Sequence, residues 1–192
     1  MFEILFNPLK AIAKAKKKNM QNTMLMLGIA SLFTALSFLF MAGFSGENVL
    51  TTVGVLVGAF VFVLFLGFLL KLGMSILAKN SGYYEALTTL TFGFLIASVG
   101  GLVNSILGLI PTLGNMSLIL IMGFITGIVM LFTVILSVVT TFRTGMELFK
   151  TDLLTIVVGL TVIFVGAGIS MYSIFLKVLF ASMFGMFTGM PM

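Results

Sequence analysis

The sequence predicts an all-α, polytopic membrane protein: five transmembrane helices preceded by a short N-terminal amphipathic helix. Three observations predict it. The 192 residues are 60% hydrophobic and 8% charged, against roughly 45–50% apolar and about 25% charged in soluble domains, so polar atoms are too few to cover a water-facing surface. The apolar residues lie in runs of about 20 or more, the length that crosses a hydrocarbon core of about 30 Å. The few charged residues fall between or near the ends of those runs.

The elements follow in order. Residues 1–20 form a basic segment in which Asn7-Pro8 has the form of a helix start, Asn as N-cap and Pro at the first helical position. In the helix that follows, Lys10, Lys14, Lys17 and Lys18 share one face, while Leu9 and Ile12 fall on the opposite one together with Lys16. This segment is expected on the cytoplasmic membrane surface, its lysines facing anionic lipid headgroups or docking a protein partner. The plainer alternative is that the lysines only set topology. A cleaved signal peptide is not expected, because the next apolar run is about 23 residues long rather than 7–15.

Residues 21–177 are expected to form the five-helix transmembrane domain. Span one covers about 22–44 and ends at Ser45-Gly46-Glu47-Asn48, a run of turn-forming types. Span two covers about 49–78 and is interrupted only by Lys71; about thirty residues are too few for two crossings and a turn, so this is one long helix. Span three covers about 83–110, closed by Pro111 and Gly114. Span four covers about 116–146 and leads through a Gly145-containing polar turn to Lys150. Span five covers about 152–177, with Thr151 or Asp152 as its N-cap. Residues 178–192 are apolar but too short for a sixth crossing, and either extend span five or lie in the interface.

Orientation follows from the basic residues, which concentrate near cytoplasmic span ends. With the N-terminus inside, only Lys177 of the ten Lys and Arg lies on the far side. The expectation is a multi-pass protein with a cytoplasmic N-terminus and an outward C-terminus, in the plasma membrane if the host is prokaryotic.

The chain has no His, no Cys and five acidic residues. Disulfides, thiolate or imidazole metal sites, and Cys-His or Ser-His-Asp catalysis are thereby excluded. Glu3, Glu47, Glu85, Glu147 and Asp152 all fall at span ends or in loops, so no carboxylate is expected at mid-membrane depth, where proton relays and ion paths need one. No catalytic residue, metal or cofactor is predicted, and nucleic acid is not needed to explain the basic balance. The polar groups expected inside are Asn104, Ser98, Ser105, Thr126, Thr133 and Ser137, hydrogen-bonded to neighbouring helices; a permeation or ligand role is the alternative for Asn104. Gly54-x-x-x-Gly58, Gly123-x-x-x-Gly127 and Gly185-x-x-x-Gly189 are expected to pack helices within the chain, with a dimer face as the alternative. Gly100-Gly101 marks a bend or a close crossing.

Several short motifs stand in a fixed order: Phe6-Asn7-Pro8-Leu9-Lys10-Ala11 before span one, Asn80-Ser81-Gly82-Tyr83-Tyr84-Glu85-Ala86-Leu87 opening span three, and Leu109-Ile110-Pro111-Thr112-Leu113-Gly114 closing it. In this order of motifs and spans, from residue 5 to about 170, the chain resembles the Yip-domain family of Ypt/Rab-interacting membrane proteins and their prokaryotic relatives. The residues that carry the resemblance are Pro8, Gly82, Tyr83, Glu85, Ala86, Leu87, Pro111 and Gly114, each of which also has a structural explanation as helix start, cap, interfacial aromatic or helix stop. The resemblance implies five spans, a cytoplasmic N-terminus and an adaptor role in membrane traffic. The long cytoplasmic N-terminal region and the Asp-Leu-Tyr-Gly-Pro motif of eukaryotic members are not in this chain, which looks like the short prokaryotic form. Rab binding is therefore not carried over.

Two functional readings result. The first is a non-enzymatic integral membrane adaptor or organiser, acting through helix packing and a basic cytoplasmic face on the bilayer, a protein partner or a second copy of itself. The second is a transporter, channel or lipid-handling protein for a neutral or lipidic substrate.

Overall fold

The computed structural model describes residues 19–77, 82–110, 116–161 and 165. Asn19 decides where the first helix begins. Its side-chain oxygen accepts the Asn22 N–H at 3.2 Å, so α1 covers Met20–Ala42 and starts before the expected 22. It stops at Gly43, whose φ of 84° lies in the left-handed region open to glycine. The expected turn at Ser45-Gly46-Glu47-Asn48 is shorter than its composition suggests. Ser45 Oγ accepts the Asn48 N–H at 3.2 Å and the Asn48 amide donates to the carbonyls of Ala42 and Gly43 at 2.8 and 3.0 Å. Those bonds satisfy both helix ends at once, and α2 runs Gly46–Leu77, starting at 46 rather than 49.

The third helix, α3, covers Tyr83–Gly108 and the fourth, α4, covers Met116–Phe149. Gly145 does not sit in a turn, as its type suggested; it lies inside α4, where a Cβ would come within 3.1 Å of Ile156 and 3.4 Å of Thr89. Lacking a side chain, it admits both neighbours. The helix ends instead at Lys150, with φ 52°, and the Thr151 N–H reaches back to the Met146 carbonyl at 3.3 Å. This is a Schellman-type closure with a lysine where glycine is usual. A fifth helix, α5, follows and is described over residues 153–161. Asp152 is its N-cap: the carboxylate accepts the Thr155 N–H at 3.0 Å. Pro8, the N-terminal lysines, Pro111, Gly114, Gly185, Gly189 and residues 178–192 lie outside the described residues.

Helices α1 to α4 are each long and apolar enough to cross a membrane, and no strand occurs among the described residues. The protein is a helical, integral membrane protein. Helix α3 is its hub, packing on α1, α2 and α4. It has the lowest hydropathy of the four and by far the largest buried share, 56% against 22% or less. The order is physical. Lipid cannot satisfy hydroxyls, and helices approach closely where residues are small, so the helix richest in Thr, Ser and Gly goes to the middle. Thr88, Thr89 and Thr91 are fully buried, and Thr88 shares a 3.1 Å hydrogen bond with Thr23 of α1.

The α3–α4 seam is built on glycine. A Cβ on Gly93 would strike Thr141 Oγ1, and one on Gly100 would strike Thr133, which makes Gly100 a close crossing. Ser137 Oγ donates to the Gly93 carbonyl across the seam at 2.8 Å. The other hydroxyls expected to bridge helices turn inward on their own. Ser98, Ser105, Thr126 and Thr133 donate to Leu95, Gly101, Met122 and Val129, three or four residues back in the same helix, because a carbonyl one turn away is always in reach. Gly54, Gly58, Gly123 and Gly127 have nothing within 4 Å of a built Cβ. These two motifs face outward and pack no described helix, correcting the expectation of packing within the chain.

Candidate functional site

Most of the described charged side chains lie at one end of the bundle. At the end of the bundle where α2 and α4 finish and α1, α3 and α5 begin, a cleft of about 1370 Å³ opens between α3, α4 and the start of α5. Tyr84, Glu85, Arg143, Glu147, Lys150 and Thr151 line it together with apolar Val139, Phe142, Met146 and Leu153. Arg143 and Glu147, four residues apart, share one face of the last turns of α4, and Lys150 follows directly past its end.

Each wall has a structural origin. Leu70, Met74, Ala86, Phe149, Ile156 and Leu160 form a buried cluster from α2, α3, α4 and α5 beneath the cleft. This cluster holds the last turn of α4 against the first turn of α3. The Schellman closure then turns the chain sharply enough for Asp152 to start α5 two residues later. Hydrogen bonding to Thr155 holds the Asp152 carboxyl below its ordinary range, as expected for a carboxylate at a helix N-terminus.

Glu85 is 6% exposed. It occupies the third position of α3, where a capping-box glutamate folds back on the N-cap residue, and a Cβ on Gly82 would strike its carboxylate. Gly82 is thus the N-cap that leaves room for Glu85. Tyr83, read as an interfacial aromatic, reaches sideways: its hydroxyl donates to the Leu64 carbonyl of α2 at 3.2 Å. Tyr84, Glu85 and Glu147 each have an interaction partner.

Of the residues singled out in the sequence, the structure brings Gly82, Tyr83 and Glu85 to this end. Asn104 lies far away on α3, near the opposite end, with its Oδ1 buried and unpartnered; the hydrogen bond to a neighbouring helix expected of it does not form through that oxygen. Lys10, Lys14, Lys17 and Lys18 lie outside the described residues. The residues missed as a group are Arg143, Glu147 and Lys150. The four-residue spacing of Arg143 and Glu147 at the end of an apolar run was a readable signal, overshadowed by the use of Arg143 and Lys150 as topology markers. No group of three or more acidic side chains comes together among the described residues to hold a metal. The cleft offers both charged and apolar contacts to a molecule that enters it. Comparison with protein-family models, with curated proteins and with solved structures finds no match to the chain.

Proposed function

We propose that this protein is a non-enzymatic membrane adaptor or organiser of the short Yip-domain type. In this reading it has five spans, a cytoplasmic N-terminus and an outward C-terminus, and it works by contact at its basic end. One observation carries the reading. The described cations Lys71, Arg143 and Lys150 all belong to the end where α2 and α4 finish, and that end also carries the cleft. A cytoplasmic face is where such residues collect, and α1, which Lys10, Lys14, Lys17 and Lys18 precede in the sequence, begins at that end.

The test pairs crosslinking in native membranes with flux and lipid-scrambling assays on the purified protein in liposomes. A stable partner, lost when the four lysines become Gln and accompanied by no flux, is the expected result. Robust flux abolished by Asn104→Leu overturns it. Tags on each terminus test the topology, and a cytoplasmic C-terminus breaks the five-span count.

The buried, unpartnered Asn104 Oδ1 favours the second reading, a path for a neutral or lipidic substrate, because a lone buried carbonyl oxygen is costly unless something transient satisfies it.

A further inference from the structure

The cleft lies at a definite depth. Between Ser117 and Phe142, α4 carries no charged residue, a rise of about 39 Å that exceeds the roughly 30 Å hydrocarbon core. Arg143 therefore stands where the apolar run ends, at the level of lipid phosphates, with Val139 and Phe142 on the hydrocarbon side of it. Lys150, Glu147 and Tyr84 line the cleft with it.

Lys150 adds a second observation. It holds φ 52°, a conformation unfavourable to any residue with a Cβ and usual for glycine at this position of the closure. The chain keeps a lysine there, and that lysine lines the cleft. Strain of this kind is found where a side chain is needed in place.

The charges on the wall balance: Arg143 and Lys150 against Glu85 and Glu147. A purely anionic headgroup would meet carboxylates as well as cations, whereas a zwitterion answers both signs. We propose that the cleft seats the headgroup of a zwitterionic aminophospholipid, its phosphate on Arg143 and Lys150, its primary ammonium facing Glu147, and its acyl chains leaving along Val139 and Phe142. The volume of about 1370 Å³ exceeds the roughly 300–1,000 Å³ of small-molecule sites and leaves ample room for a headgroup with the first carbons of two chains. The proposal rests on the membrane placement and not on the adaptor reading, so partner crosslinking can fail while lipid binding stands.

The test is titration of the purified full chain with dioleoyl-phosphatidylethanolamine, dioleoyl-phosphatidylcholine and dioleoyl-phosphatidylglycerol, read by native mass spectrometry. Phosphatidylethanolamine is expected to bind about tenfold more tightly than either of the others, the scale of one charge-assisted hydrogen bond. Arg143→Gln and Lys150→Gln are each expected to weaken it about tenfold. Glu147→Gln is expected to level phosphatidylethanolamine with phosphatidylcholine, whose quaternary ammonium has no N–H to donate. Lys150→Gly separates binding from folding: it should lose lipid affinity with no fall in thermal midpoint. Equal binding of the three lipids, or undiminished binding in Arg143→Gln with Lys150→Gln, overturns the proposal. So does displacement of the lipid by equimolar inorganic phosphate or phosphoethanolamine, which would mark a site for a free phosphate.

Discussion

The two ends of the bundle are packed differently. At the end that carries the cleft, Leu27, Leu87 and Met74 are wholly buried, and Phe149 and Ile156 nearly so. At the opposite end Leu50, Leu120 and Phe124 are 76, 65 and 71% exposed, and from Ser117 onward the first buried residue of α4 is Thr140. Both ends carry many large apolar side chains. In water the second would be a fault. In a bilayer lipid solvates it, and helices gain nothing from hiding leucines from one another; association comes from close packing and from groups that lipid cannot satisfy. The helices are therefore tied together where the hydroxyls, glycines and charges are, and left facing lipid elsewhere.

That contrast can be broken by substitution. The largest effect is expected at the buried junction of α1, α2 and α3: Leu87→Ala should cost about 3 kcal/mol, while Leu120→Ala should change stability by less than about 0.5 kcal/mol, both measured by reversible unfolding in mixed micelles. Equal costs would mean that the opposite end is packed after all. Next comes the seam, where Gly100→Leu should cost about 2 kcal/mol by overpacking against Thr133. Gly58→Leu should be neutral or slightly stabilising, since a glycine inside a helix has low propensity. A Gly58→Leu variant that dissociates a dimer would turn the outward Gly54/Gly58 face into an interface.

Smaller effects sharpen the picture at the cleft. Lys150→Gly should raise stability by about 1 kcal/mol through relief of the left-handed backbone, the one substitution here expected to stabilise the protein while weakening its site. Removing the interhelical bond from Ser137 to Gly93 with Ser137→Ala should cost about 0.6 kcal/mol. The smallest effect is pH-linked. The Asp152 carboxyl is held below its ordinary value by Thr155, so its capping contribution is present above the unfolded value and is lost as pH falls through the folded one. Asp152→Ala should thus lower the thermal midpoint at neutral pH, and the gap to the parent should close in strongly acidic buffer.

Much of the fold was legible because a bilayer imposes its length on any helix that crosses it. The long α2, uninterrupted through Lys71, could be read from about thirty apolar residues with no room for a turn. Asp152 could be read as a cap because an acidic residue before an apolar run has few other uses. The boundaries that moved did so for local reasons. Asn48 bonds back to two carbonyls and lets α2 begin early, and Gly145 is needed for Ile156 rather than for a turn. Spacing could not reveal which glycines face inward: Gly100 and Gly58 look alike in a string, and only one has a threonine against it.

Composition and periodicity by themselves determined the solvent, the helical class and the approximate place of each span, since those depend on how many apolar residues stand in a row. Partnership was decided by tertiary structure. Making α3 the hub, sending Ser137 but not Thr133 across a seam, leaving Asn104 Oδ1 alone and setting Arg143, Glu147 and Lys150 opposite Tyr84 all depend on helix rotation and register. In lipid these are set by the close fit of small residues, a property of pairs of surfaces that no single helix carries in its own sequence.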